Sequence, residues 1–203
     1  MQLTVVVGIV SFTKAHRYLT EFEDDELFSD CPNQPENVLN VHGLANLTEL
    51  TFSRQQDNLH VSGNFTLLWN IEKTDRVQVK LDLFKYDRRE WVPTLYSIKS
   101  TNFCPIMFDK NQYWYTLWVK YITNIDEIKN NCLNVPGTKY ILDDFDMYIV
   151  IENKMQNMEG EQKLRIELKA FDQSNRMRPT IICYEVKMNL VKLAREVKAK
   201  LPL

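Results

Sequence analysis

Residues 59–69 alternate without a break. Leu59, Val61, Gly63, Phe65, Leu67 and Trp69 fall on one side, and His60, Ser62, Asn64, Thr66, Leu68 and Asn70 on the other. A period of two is the spacing of a strand with one face buried. The pattern recurs at Val77, Val79, Leu81 and Leu83, and at Leu164, Ile166, Leu168 and Ala170. It recurs once more at Ile182, Tyr184, Val186, Met188 and Leu190. Weaker strands are expected over 46–54, over 91–98 and over 140–152, the last with Phe145, Met147, Ile149 and Ile151 on one face. Pro93 suits an edge strand or a bulge, because proline cannot donate to a ladder. Polar turns at 55–58, 72–75, 87–89 and 172–178 join the runs as hairpins. The expectation is a mostly β (α+β) domain over 46–190: an antiparallel cup or sandwich of six to eight strands.

One segment breaks the alternation. Between Cys104 and Cys132, Tyr113, Trp114, Tyr115, Trp118 and Tyr121 crowd together at helical spacing, with Asp109 as a candidate cap. A short helical flap over 104–132 follows. Its aromatic stripe either completes the core or forms the wall or lid of an apolar pocket. Four cysteines allow three pairings. The favoured one is Cys104–Cys132, closing the flap, with Cys31–Cys183, tying an N-terminal arm to the last strand. That arm, 16–45, is expected to be extended and irregular, with an acidic run from Glu21 to Glu26 and prolines at 32 and 35.

The apolar run Leu3–Phe12 is shorter than the ~20 residues of a membrane helix and fits a signal-peptide core, with a cut after Ala15. The rival is a buried N-terminal strand. No other run approaches a membrane span, so no transmembrane helix is expected. The sequons Asn46-Leu47-Thr48 and Asn64-Phe65-Thr66 agree with secretion, Asn64 lying on the polar side of its strand. The tail 191–203 is basic and reads as a solvated end, with a helix as one conformation open to it. A net charge of -2 gives no electrostatic case for nucleic acid.

Candidate chemistry is thin. The three histidines, His16, His42 and His60, sit at neither metal nor triad spacing. With the cysteines bridged no thiol nucleophile remains. Asp143, Asp144 and Asp146 are the tightest acidic cluster outside the arm, and a solvated sheet edge accounts for them better than acid–base work. No phosphate loop, dinucleotide fingerprint or nucleophile elbow occurs. The expectation is a non-enzyme with no metal and no cofactor.

The order of landmarks is distinctive: Cys31-Pro32, then Asn102-Phe103-Cys104-Pro105, then Asn131-Cys132, Pro136-Gly137-Thr138-Lys139-Tyr140, and Cys183 in the last strand. Across residues 30–190 this layout resembles the insect CheB family of chemosensory proteins. That family is distantly similar to the ganglioside-activator protein, a lysosomal lipid-transfer factor with a β-cup fold and additional disulfides. The resemblance implies a secreted protein of taste or pheromone sensing whose cup holds a lipid or long-chain hydrocarbon.

The inward strand residues supply a candidate pocket: Phe65, Leu67, Trp69, Leu81, Leu83, Phe145, Met147, Ile149, Leu164, Ile166, Leu168, Val186 and Met188. Trp114, Leu117 and Trp118 of the flap would close it. A sheet with one apolar face needs a cover, and a partial cover leaves room for a lipid. A membrane receptor or channel is a further candidate partner. The competing expectation is an extracellular β-sandwich binding or receptor-accessory module with a solid core.

Overall fold

The computed structural model describes residues 15–22, 27–55, 58–154 and 157–194. The expected leader (apart from Ala15), the acidic positions 23–26 and the tail from residue 195 lie outside them. The elements in chain order are β1 (His16–Glu21), β2 (Ser29–Asp30), β3 (Val38–Leu39), α1 (Val41–Leu44), β4 (Ala45–Asn46), β5 (Leu50–Gln55), β6 (Asn58–Leu67), β7 (Arg76–Asp87) and β8 (Glu90–Ser100). The flap follows, with α2 (Tyr113–Leu117), α3 (Ile125–Ile128) and 3-10 turns at Cys104–Ile106 and Val119–Tyr121. Last come β9 (Lys139–Met147), β10 (Val150–Asn153), β11 (Gly160–Phe171) and β12 (Met177–Lys192).

The strands form an eight-stranded sheet in the order β10-β1-β12-β11-β7-β8, with β2 and β3 also on β12, and a four-stranded sheet built on β6. All pairings are antiparallel except that of β3 with β12. The large sheet is curled. Its two end strands meet across the concave face, where the Tyr96 hydroxyl of β8 donates to Asn153 Oδ1 of β10 at 2.6 Å. β8 is an end strand with an irregular register opposite Pro93, as a proline there requires.

Alternation set the concave face. Register places Val79, Leu168 and Ile182 in one row, Leu81, Ile166 and Tyr184 in the next, and Leu83, Leu164 and Val186 in a third. The small sheet and the flap pack against the first rows to form the main core. Tyr18, Leu83, Met158, Met188 and Leu190 form a second cluster at the curled end.

Four expectations are corrected. The arm 16–45 is irregular only in part: β1, β2 and β3 line the edge of β12 opposite β11, because backbone pairing there outweighs the weak local pattern. Cys31 accordingly bridges Cys183 at this edge, and Cys104 bridges Cys132. The run 140–152 is not one strand. Asp143 and Asp144 of β9 together oppose the single residue Ser62, a bulge that flips the buried side. Tyr140 and Leu142 are therefore buried along with Phe145. After Met147 the chain crosses to the large sheet as β10. Nor does Asp109 cap a helix: it accepts from Asn111 and Gln112 in the preceding turn, and the Asn111 backbone amide above all holds its carboxyl below the usual range. The beginning of the basic tail is strand instead: Val191 and Lys192 end β12 and pair with β1.

Gly63 makes the junction of β5, β6 and β9 possible. Its φ is +103°, and a Cβ there would run into the Glu49 carbonyl oxygen. Gly63→Ala is expected to cost at least about 1–3 kcal/mol in chemical denaturation. An unchanged midpoint would contradict this account of the junction.

Candidate functional site

Of the sixteen candidate pocket residues, fourteen belong to the two apolar clusters or pack against them. Leu117 and Ile149 are half-buried and contribute to neither. The rest divide by burial. Leu67, Trp69, Leu83, Trp114, Phe145, Ile166, Leu168 and Met188 are buried, so they are core. The Trp69 Nε1 donates to Thr180 Oγ1 at 3.1 Å, which fixes that ring in place.

The flap joins the core as well. Phe103, Met107, Trp114, Val119, Ile122 and Ile128 all lie in the main cluster. The Trp114 Nε1 donates to the carbonyls of Ile106 and Met107, at 3.2 and 3.1 Å. Trp118 stays half-buried, its ring 6.1 Å from Phe65 and 6.3 Å from Tyr140. The aromatic segment is thus first a structural filler between the edges of the two sheets. Of the two expectations for the aromatic stripe, completion of the core is the one that Trp114 and its neighbours meet.

What remains is a strip across the concave face between the two clusters. Leu81, Leu164, Tyr184 and Val186 are half-buried there, although the rows on either side are buried. Leu164 and Val186 touch both clusters. Beside Leu81 in the same register, Ile98 of the end strand is 42% exposed. Tyr184 is dense with neighbours: Phe28 stands edge-on to its ring at 5.4 Å and to Phe52 at 5.7 Å. Burial pushes its hydroxyl up to about 12, yet its side chain retains accessible surface. Phe65, Trp118 and Met147 are half-buried against the main core in the same way. Sequence reading named Tyr184 as inward but omitted it from the pocket; Phe28 gave no signal, lying in the arm.

The polar faces carry no comparable concentration. Among the described residues no three His, Cys, Asp or Glu gather as a metal set. Asp144 is exposed, and Asp146 pairs with His60 Nδ1 at 2.9 Å on the outer face of the small sheet. Ser53 lies opposite His60 in register but shares no hydrogen bond with it. On the outer face of the large sheet Glu185 accepts from Lys163 at 2.9 Å and from Arg165 at 2.7 Å, under the rings of Phe84 and Trp91. This network ties β11 to β12.

The two sequons differ. Asn46 is exposed, and its Oδ1 accepts the Thr48 amide at 3.0 Å. Asn64 is half-buried rather than on an open face, its Oδ1 enclosed. Its side chain lies against Glu49, whose carboxyl is held low by Lys139 first and by Asn64 next. A glycan needs a free amide nitrogen and open space. In material expressed through a secretory pathway, Asn46→Gln is therefore expected to abolish a glycan mobility shift and Asn64→Gln to leave it. The opposite result would contradict the placement of Asn64.

No protein-family model and no curated protein sequence matches this chain. No helix among the described residues is long and apolar enough to cross a membrane.

Proposed function

We propose that this protein is a secreted, non-enzymatic carrier or presenter of an apolar ligand, a lipid or long-chain hydrocarbon. The observation that carries the proposal is the strip Leu81–Leu164–Tyr184–Val186: apolar, on the concave side of a curled sheet, and accessible between two buried clusters. Apolar surface left open inside a fold is favourable to cover, at about 25 cal/mol per Å². A flexible alkyl chain matches a narrow strip better than a rigid partner does. Two disulfides, with no free cysteine among the described residues, suit an oxidising extracellular compartment. The resemblance to the CheB family points the same way, toward chemosensation, with a membrane receptor or channel as the recipient of the loaded protein.

The test is displacement of a fluorescent polyene fatty acid from oxidised protein. Saturable binding is expected, weakened at least about tenfold by Val186→Phe, which fills the strip with a side chain of similar chemistry. Absence of saturable binding by folded wild-type protein would overturn the proposal. It would favour a second reading, a receptor-accessory sandwich with a solid core. That reading draws on the burial of Trp69 and Trp114, which leaves no room at the flap.

A further inference from the structure

The curled end of the concave face carries three buried polar side chains: Asn153 of β10, which accepts from the Tyr96 hydroxyl, and two that differ from it in having an atom without a partner. Gln162 of β11 is 1% exposed and Thr20 of β1 is 3% exposed. They flank β12, Gln162 opposite Met188 and Thr20 opposite Leu190. Gln162 is oriented by one bond, its Nε2 donating to the Met158 carbonyl at 3.0 Å. Its Oε1 therefore faces away from that carbonyl as an acceptor. Neither Gln162 Oε1 nor Thr20 Oγ1 makes a hydrogen bond among the described residues. Leaving such groups unpaired opposes folding, and a ligand that pairs them recovers the loss. Nearby Gly160, which also pairs with Leu190, has φ +103° and open space where a Cβ would stand.

We infer that these two groups form a polar subsite for the head of an apolar ligand that donates a hydrogen bond, an aliphatic alcohol above all. The inference rests on the carrier reading and deepens it. Gln162 Oε1 can only accept, so the head must donate; Thr20 Oγ1 can donate in return. A hydroxyl does both. An ionised carboxylate only accepts and would face the Gln162 oxygen unpaired. An alkane would leave both protein groups unsatisfied. The tail then runs from Met188 toward the half-buried Val186 and Leu164, which border both clusters. A glutamine that keeps one oriented bond while holding a bare acceptor among apolar side chains is a discriminating device, since a site built to pair a hydroxyl rejects the analogue that lacks it.

The experiment competes dodecane, dodecanol and dodecanoate against the fluorescent probe on wild-type protein, Gln162→Met and Thr20→Val. Dodecanol is expected to bind wild-type protein about tenfold more tightly than dodecane, the worth of one satisfied buried hydrogen bond. Gln162→Met should erase that advantage and leave dodecane unchanged. Thr20→Val, close to isosteric, should reduce it and serves if the methionine variant does not fold. Equal binding of alcohol and alkane would overturn the subsite and leave the carrier reading standing. So would an alcohol preference that survives in the folded variants, since the hydroxyl would then be recognised by other groups. Preference for dodecanoate would overturn it in favour of Lys85, which lies opposite Gln162 on β7. Failure of all three to displace the probe, with no probe bound, would overturn both proposals.

Discussion

Trp114→Ala is expected to cost about 3–5 kcal/mol of stability, the usual penalty for deleting a large aromatic side chain from a core. Trp114 is 7% exposed, its ring lies 5.0 Å from Phe103, and two carbonyls share its Nε1 proton. Against a total of ~5–15 kcal/mol this is close to unfolding for a domain of ordinary stability. Trp118→Ala should cost clearly less, because Trp118 is half-buried and rests on Phe65 and Tyr140 at ring distances beyond 6 Å. Denaturant titration of both variants checks the order. Equal, small losses would mean the flap is a detachable cover and that its tryptophans are not core.

The Cys31→Ser/Cys183→Ser double variant is expected to lose up to about 5 kcal/mol. In the chain-entropy model the loss grows with the closed loop, here 152 residues. The flap bridge closes 28 residues and is worth about 3.6 kcal/mol by the same relation. The local consequence differs too. Cys31 follows β2 directly, and β2 and β3 hold β12 by only two residue pairs each. Without the bridge, hydrogen exchange should quicken first across β2 and β3, while β7, β11 and the body of β12 stay protected. Protection lost uniformly, or a smaller loss than from opening Cys104–Cys132, would contradict the edge-staple role.

The legible part of this fold is the part where side-chain pattern and burial coincide. β6, β7, β11 and β12 are long, alternate cleanly, and pair in the register that alternation demands. The cysteine pairing was legible too, since one pair encloses the non-alternating flap and the other joins arm to strand. β2 and β3 were not legible, because two-residue strands are held by a partner's backbone and leave no periodic trace. The bulge at Asp143 and Asp144 shifted the phase of β9, so Tyr140 and Leu142 went unnoticed as core.

The site was legible only in outline. Inward positions could be named, but burial depends on what covers them. The small sheet and flap cover Leu168 and Ile182 fully and leave Leu164, Tyr184 and Val186 half open. Gln162 and Thr20 gave no signal at all. Polar residues at a loop–strand boundary and in an arm read as solvated, and only the curl of the sheet encloses them.

The carrier account is tested most directly by native mass spectrometry of the oxidised protein, purified without detergent from a secretory host. It predicts a folded species heavier than the polypeptide by the mass of one lipid-like molecule, an increment that disappears on organic extraction and returns with added dodecanol. A folded protein at the mass of the bare, twice-bridged chain, which takes up no alkyl ligand under the same conditions, would contradict it.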